Sequence, residues 1–185
     1  SSKIFCFWVE NWCESFKDHF SKIVPWKFVI KSYVDDIFGG ASTKKQARKL
    51  KNEIIATGLL TTAIPNLEKC HGPSQKLTIL GTIFDALKRN VTLPPKKQQK
   101  YCQAIINVLK KGRATSKELE QLVGYLVWAN YTEPFGRPFI SAISGKISRK
   151  TPKLIVYITG YLKWALYIWL SIIKRNIGIG FKYVL

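Results

Sequence analysis

Two adjacent carboxylates, Asp35 and Asp36, are the most chemically pointed feature of the sequence. They follow a run of aromatic and β-branched residues, Trp26–Tyr33, that carries almost no acid. Neighbouring anions repel each other and gain nothing from apolar surroundings. A divalent cation removes that cost. Mg2+ (or Mn2+) takes hard oxygen ligands, usually one or two carboxylates plus substrate phosphates. Two such ions about 3.5–4 Å apart activate an attacking hydroxyl and stabilise the leaving oxygen in phosphoryl transfer. Asp also favours turns for purely local reasons, and Asp-Asp alone would be read as a plain acidic turn. The preceding Tyr33-Val34 and the apolar strand Lys27–Ser32 tip the reading towards a metal site.

The surrounding elements must present that pair. Apolar residues at Phe5, Trp8, Val9, Trp12, Cys13, Phe16 and Phe20 step by three and four and predict an amphipathic helix over 5–20. Trp26–Tyr33 reads as a strand, Val34-Asp35-Asp36 as a tight turn, and Ile37-Phe38 as a returning strand that ends at Gly39-Gly40. Thr43 is placed to cap a second helix with Ala47, Leu50 and Ile54 inward, stopping near Gly58. Leu77–Phe84 and Val91–Leu93 predict a second hairpin that turns through Lys88-Arg89-Asn90. Everything after Pro94-Pro95 is expected to be helical. A helix over Lys96–Lys111 stops at Gly112, and Thr115…Glu118 forms a capping box for the next. A short helix lies around Phe139–Ile143, and a very apolar one over 153–174. The expected class is α+β: a helix, a hairpin, a helix and a second hairpin, followed by an all-α region.

The charge is lopsided. Lys and Arg number 30 against 11 Asp and Glu, a formal charge of +19. Residues 1–40 hold five basic and five acidic side chains, whereas residues 41–185 hold 25 and 6. This excludes an acidic or neutral soluble enzyme and makes a polyanionic partner the default. Basic clusters lie at Lys44–Lys51, at Lys96, Lys97, Lys100, Lys110, Lys111 and Arg113, and at Lys146, Arg149, Lys150 and Lys153. Lys outnumbers Arg by 24 to 6, which suits diffuse phosphate contact better than bidentate base reading. The hydrophobic fraction of 46% is enough for a sizeable core. The four cysteines form no CxxC pair and read as reduced thiols of an intracellular protein, in cytoplasm or nucleus. There is no Met, so the chain is expected to be a piece of a longer or processed one, with the rest of a parent polyprotein as neighbour.

Tyr33-Val34-Asp35-Asp36 resembles the YxDD motif of reverse transcriptases. Glu68-Lys69-Cys70, Gly72-Pro73-Ser74 and Leu77-Thr78-Ile79-Leu80-Gly81-Thr82-Ile83-Phe84-Asp85 resemble the EKT…GPS…LTFLGxxxD stretch of retrotransposon enzymes. Leu93-Pro94-Pro95-Lys96-Lys97 is similar to a palm-to-thumb junction. Leu119–Leu126 and Pro134–Phe139 resemble the thumb of the DIRS-like, tyrosine-recombinase retrotransposon branch. The resemblance implies part of a polymerase palm over residues 1–93, a helical thumb over 94–150 and a connector over 151–185. It implies two Mg2+ ions on three carboxylates, Asp35 and Asp36 among them, and it favours Asp35 as the direct ligand. The third carboxylate and the nucleotide-binding fingers are expected upstream, so the fragment alone is expected not to polymerise. Lys69 aligns with a lysine that could protonate the leaving pyrophosphate, with an ordinary solvated lysine as the equal alternative. Tyr33, Leu80, Gly81 and Thr82 match positions at the substrate and primer end. The implied partners are an RNA or DNA template with its primer, and dNTP.

Two other readings compete. One is a basic nucleic-acid-binding module whose Asp pair is vestigial. The other is a basic protein anchored in a membrane by Leu154–Ile173, which is 20 residues long. Against the anchor, Gly160, Lys163, Tyr167, Ser171 and Lys174 form a polar stripe, as on a helix packed against a soluble core. No membrane partner is therefore expected.

Overall fold

The computed structural model of the chain describes residues 2–34, 36–61, 66–148 and 151–181. The chain divides into two compact units, residues 1–74 and 75–182. Its composition of helices and small antiparallel sheets makes it α+β, as expected.

In the first unit, α1 (Ser2–Ile23) packs on the hairpin of β1 (Phe28–Tyr33) and β2 (Asp36–Ala41), and α2 (Lys44–Leu60) packs on β2. Val9, Cys13, Phe16 and Phe20 line one face of α1 and are buried with Val24, Ile30 and Leu50. Phe16 stacks on Phe20 at 5.3 Å between ring centroids, and Phe28 meets Phe20 edge-on at 5.2 Å. The α2 capping box is present: Thr43 Oγ1 accepts from Gln46 N–H, and Gln46 Oε1 accepts from Thr43 N–H. The expected stop at Gly58 is not observed. A glycine ends a helix when it takes a left-handed φ, and Gly58 stays helical and buried until Thr61 caps the end. Gly39 and Gly40 likewise lie inside β2 rather than ending it. A side chain at Gly39 would press on Leu50 Cδ2 at 3.0 Å, so the glycine is what lets α2 approach the strand.

In the second unit, β3 (Lys76–Ile79), β4 (Thr82–Asp85) and β5 (Asn90–Thr92) form a meander. The single strand expected over Leu77–Phe84 is thus two strands. Leu80 and Gly81 both take positive φ, 49° and 72°, which is the two-residue primed turn that matches strand twist. Then follow α3 (Pro95–Lys111), β6 (Arg113–Thr115), α4 (Ser116–Ala129), α5 (Arg137–Ser144), β7 (Ile155–Tyr157), α6 (Gly160–Arg175) and β8 (Ile179–Gly180). The expectation of helices alone after Pro95 is therefore corrected: β6 pairs with β7, and β8 adds a fourth strand beside β5. The apolar stretch 153–174 is not one helix. Its β-branched start, Ile155-Val156, pairs with β6, and α6 begins only at Gly160. At 16 residues α6 is too short for a span, and among the described residues no helix is long and apolar enough to cross a membrane. One face of α6 buries Leu162, Ala165, Leu166, Trp169 and Ile173, while Lys163, Tyr167, Ser171 and Lys174 are exposed. That face joins Tyr101, Ile105 and Val108 of α3 and Leu119, Leu122 and Leu126 of α4 in a single core. The α4 capping box is present as expected, with Thr115 and Glu118 bonded reciprocally.

Candidate functional site

The acidic hairpin is built by register. Phe28 pairs with Ala41 and Tyr33 with Asp36, so only Val34-Asp35 connects the strands. Asp36 is therefore the first residue of β2, not part of the turn. Asp35 lies outside the described residues, as do Arg149 and Lys150 of the third basic cluster. Val34 has φ 57°, the left-handed region, which for a β-branched residue stores about 1–3 kcal/mol of strain. Tyr33, Val34 and Asp36 are all exposed, so these three side chains are open to solvent. An exposed carboxylate on a rigid hairpin can take up a hard cation. Among the described residues no three of His, Cys, Asp and Glu are gathered in one place. Lys69 is exposed at the end of a 3-10 turn, Leu67–Lys69, that Asn66 caps through Glu68 N–H.

A basic and aromatic face forms separately in the second unit. Lys97 and Lys100, three apart on α3, meet Trp128 and Tyr125, three apart on α4. Lys97 Nζ lies 4.3 Å from the centroid of the Trp128 ring, and Lys100 Nζ lies 4.8 Å from that of Tyr125. Both are cation–π contacts. Tyr125 also stacks on Tyr101 at 4.9 Å and accepts from Gln121 Nε2 at 3.0 Å. Tyr131 meets Trp128 edge-on at 5.9 Å. The Leu80-Gly81 turn closes on this group. A Cβ at Gly81 would collide with the Lys97 ammonium and lie 3.5 Å from Trp128 Cζ2. Burial pushes the Lys97 ammonium below the ordinary lysine value.

The structure thus brings Leu80, Gly81, Lys97 and Lys100 together. Thr82 sits next to them but is buried, its hydroxyl donated to the Ile79 carbonyl at 2.9 Å. Lys96 is exposed near the same end of α3. Lys110 and Lys111 stand at its far end, about 20 Å away at 1.5 Å per residue. Arg113 is on β6 and exposed. Lys111 is engaged with Glu118 at 3.0 Å. The hydrogen bond from Thr115 N–H, and after it the one from the Lys111 ammonium, hold that carboxyl below the usual carboxylate range. Sequence reasoning missed Tyr125 and Trp128. The signal was available: they flank Leu126 on α4 but fall off its Leu119, Leu122, Leu126 stripe, so helical spacing leaves them on a half-open face.

No family model matches the chain, and no curated protein matches it. Solved structures do. The foamy viral protease-reverse transcriptase dRH in complex with double-stranded DNA superposes with a TM-score of 0.67 at 20% identity, over 98% of this chain and 28% of that one. The fold is reverse-transcriptase-like. The foamy viral protease-reverse transcriptase in complex with RNA/DNA hybrid matches with a TM-score of 0.58 at 20% identity, over 91% of this chain and 21% of that one. The chain therefore spans between a fifth and about three-tenths of the reverse transcriptases it matches. At this identity the likeness is one of fold.

Proposed function

We propose that this chain is the palm end and thumb of an RNA-directed DNA polymerase from a retroelement, on the DIRS-like branch that its motifs resemble. Residues 1–93 would be the palm part, 94–150 the thumb and 151–185 the connector. The observation that carries the reading is the meeting of the Leu80-Gly81 turn with Lys97 and Trp128 in a chain of reverse-transcriptase-like fold. The glycine turn lets the Lys97 ammonium and the Trp128 ring come close against it, the lysines would neutralise phosphates, and the rings would give flat apolar surface for sugars and bases. Both foamy viral relatives in fold were captured on nucleic acid, which supports a primer–template duplex as the partner here.

Asp35 and Asp36 would hold Mg2+ or Mn2+, together with a third carboxylate that the resemblance implies. The exposed carboxylate of Asp36, at the closing pair of a rigid hairpin, fits that donor chemistry. The ions would supply Lewis-acid stabilisation of phosphoryl oxygens during nucleotide addition. The hairpin would present these carboxylates to the ions, and Lys69, which ends the 3-10 turn Leu67–Lys69, would be a candidate proton donor towards a leaving pyrophosphate.

Two titrations test this. Binding of a labelled RNA–DNA hybrid should weaken with salt and fall further in Lys97→Ala/Lys100→Ala. Mn2+ binding, read by proton relaxation of water, should be lost in Asp35→Ala/Asp36→Ala. Hybrid binding without Mn2+ binding would leave a nucleic-acid module with a vestigial acidic pair. The absence of both would end the polymerase reading.

A further inference from the structure

Residues 134–185 contain nine Lys and Arg and no Asp or Glu. The same stretch exposes large rings: Tyr157 is 68% exposed, Tyr161 59% and Trp164 49%. Water-exposed aromatics in such number usually mark a contact surface, because each leaves apolar area unburied. The register shows how they are arrayed. In the two-stranded ribbon β6–β7, Arg113 is directly opposite Tyr157 and Thr115 opposite Ile155, while the alternate pair Ala114–Val156 faces the core. A guanidinium and a phenol therefore share the outer face as cross-strand neighbours. The chain runs from Tyr157 straight into α6, where Tyr161 and Trp164 lie with ring centroids 5.4 Å apart and planes at 33°. Phe139 of α5 holds Trp164 from the side at 5.2 Å. Shallow concavities of about 550 and 440 Å3 flank the ribbon. Their walls include Lys111 and Arg113 in one and Lys117 and Lys153 in the other. The one acid among them, Glu118, is already engaged by Lys111 and Thr115.

We propose that the outer face of β6–β7 and the first turns of α6 form a second nucleic-acid site, specific for single strands, on elements distinct from the Lys97–Trp128 face. Charge complementarity selects a polyanion over a protein partner of mixed charge, since no carboxylate in residues 134–185 could answer a partner's cations. The rings select single strands, because only an unpaired, unstacked base offers its π-face to an aromatic side chain. A strand crossing the ribbon would lay bases on Tyr157, Tyr161 and Trp164 while phosphates meet Arg113, Lys117 and Lys153. The site would hold unpaired template or product beside the duplex contact proposed above, and it does not depend on that contact being used.

The test uses the full chain and fluorescence anisotropy, with a labelled oligothymidylate of about 15 nucleotides and a blunt RNA–DNA hybrid as separate probes. Tyr157→Ala/Tyr161→Ala should weaken oligothymidylate binding by about fivefold to a hundredfold per ring and leave the hybrid unchanged. Tyr157→Phe/Tyr161→Phe should bind like the wild type, since the ring is kept. Lys97→Ala/Lys100→Ala should show the opposite selectivity. Oligothymidylate binding unchanged in the folded double-alanine variant (folding read by circular dichroism) overturns the proposal. So does an equal loss on both probes. If that variant instead abolishes self-association in sedimentation and leaves oligothymidylate binding intact, the face is a contact between copies and the proposal falls. Ring-dependent oligothymidylate binding with no hybrid binding at all would sustain this site while removing the duplex reading.

Discussion

Asn176 and Leu93 exchange two hydrogen bonds. Leu93 N–H donates to Asn176 Oδ1 at 3.0 Å, and Asn176 Nδ2 donates to the Leu93 carbonyl at 2.9 Å. A side-chain amide here completes a strand-like pair with the backbone at the end of the meander. Gln98 Nε2 reinforces the junction by donating to the Ile173 and Lys174 carbonyls at the end of α6. The last helix and the Leu80-Gly81 meander are thereby fastened to one another through the start of α3.

Asn176→Ala should cost about 3 kcal/mol, read by urea denaturation. Two shielded backbone groups of Leu93 would lose their partners, at about 1–3 kcal/mol each less relaxation. The residue also has φ 44°, which alanine tolerates poorly. Asn176→Gly keeps the φ and should cost less. A loss below about 1 kcal/mol for alanine would show that the bonds contribute nothing net.

Gly136→Ala should destabilise by about 1–3 kcal/mol through overpacking. A Cβ there would run into the indole of Trp169, which is fully buried. Trp169→Phe removes the part of the ring that collides, so the double variant should be less destabilised than the sum of the singles. Additive losses in thermal melts would contradict the collision.

Lys97→Ala and Lys100→Ala should each reduce the slope of log affinity for an RNA–DNA hybrid against log salt by about one unit. The loss should be the same for different hybrid sequences, because phosphates carry no sequence. A sequence-dependent loss would point instead to base reading at this face.

Glu133 is 5% exposed and accepts the Gly178 N–H at 2.7 Å. Burial pushes its carboxyl above the usual value, against the opposing effect of that bond. In the window between the unfolded value, about 4.3, and the raised folded value, the folded state binds more protons than the unfolded. Stability therefore falls as pH rises through that window. Glu133→Gln should raise the melting temperature above the window and flatten its pH dependence. The same pH slope in the variant would assign the titration elsewhere.

The local elements were largely legible because their signals are local. The α1 stripe of Val9, Cys13, Phe16 and Phe20, the Thr43 cap and the Thr115–Glu118 capping box need only neighbours within a few residues. Where the reading failed, a distant partner had overruled local preference. Leu80 carries no turn chemistry of its own, yet it takes positive φ because strand pairing on both sides demands a two-residue turn. Ile155-Val156-Tyr157 reads as the start of an apolar helix, but Arg113–Thr115 is there to pair with it. Gly58 has the identity of a helix stop and is simply buried inside one.

The residue types alone determined two adjacent carboxylates after an apolar strand, a cationic excess after residue 41 and an α+β order of elements, because composition and short-range periodicity are properties of the chain itself. Only the tertiary structure decided that Lys97 and Lys100 sit over Trp128 and Tyr125, that Gly81 closes on that pair, and that Tyr157 faces Arg113. Those contacts join residues separated by about 16 to 47 positions, and they follow from how α3, α4 and the strands bury a shared apolar core rather than from any pattern within one element.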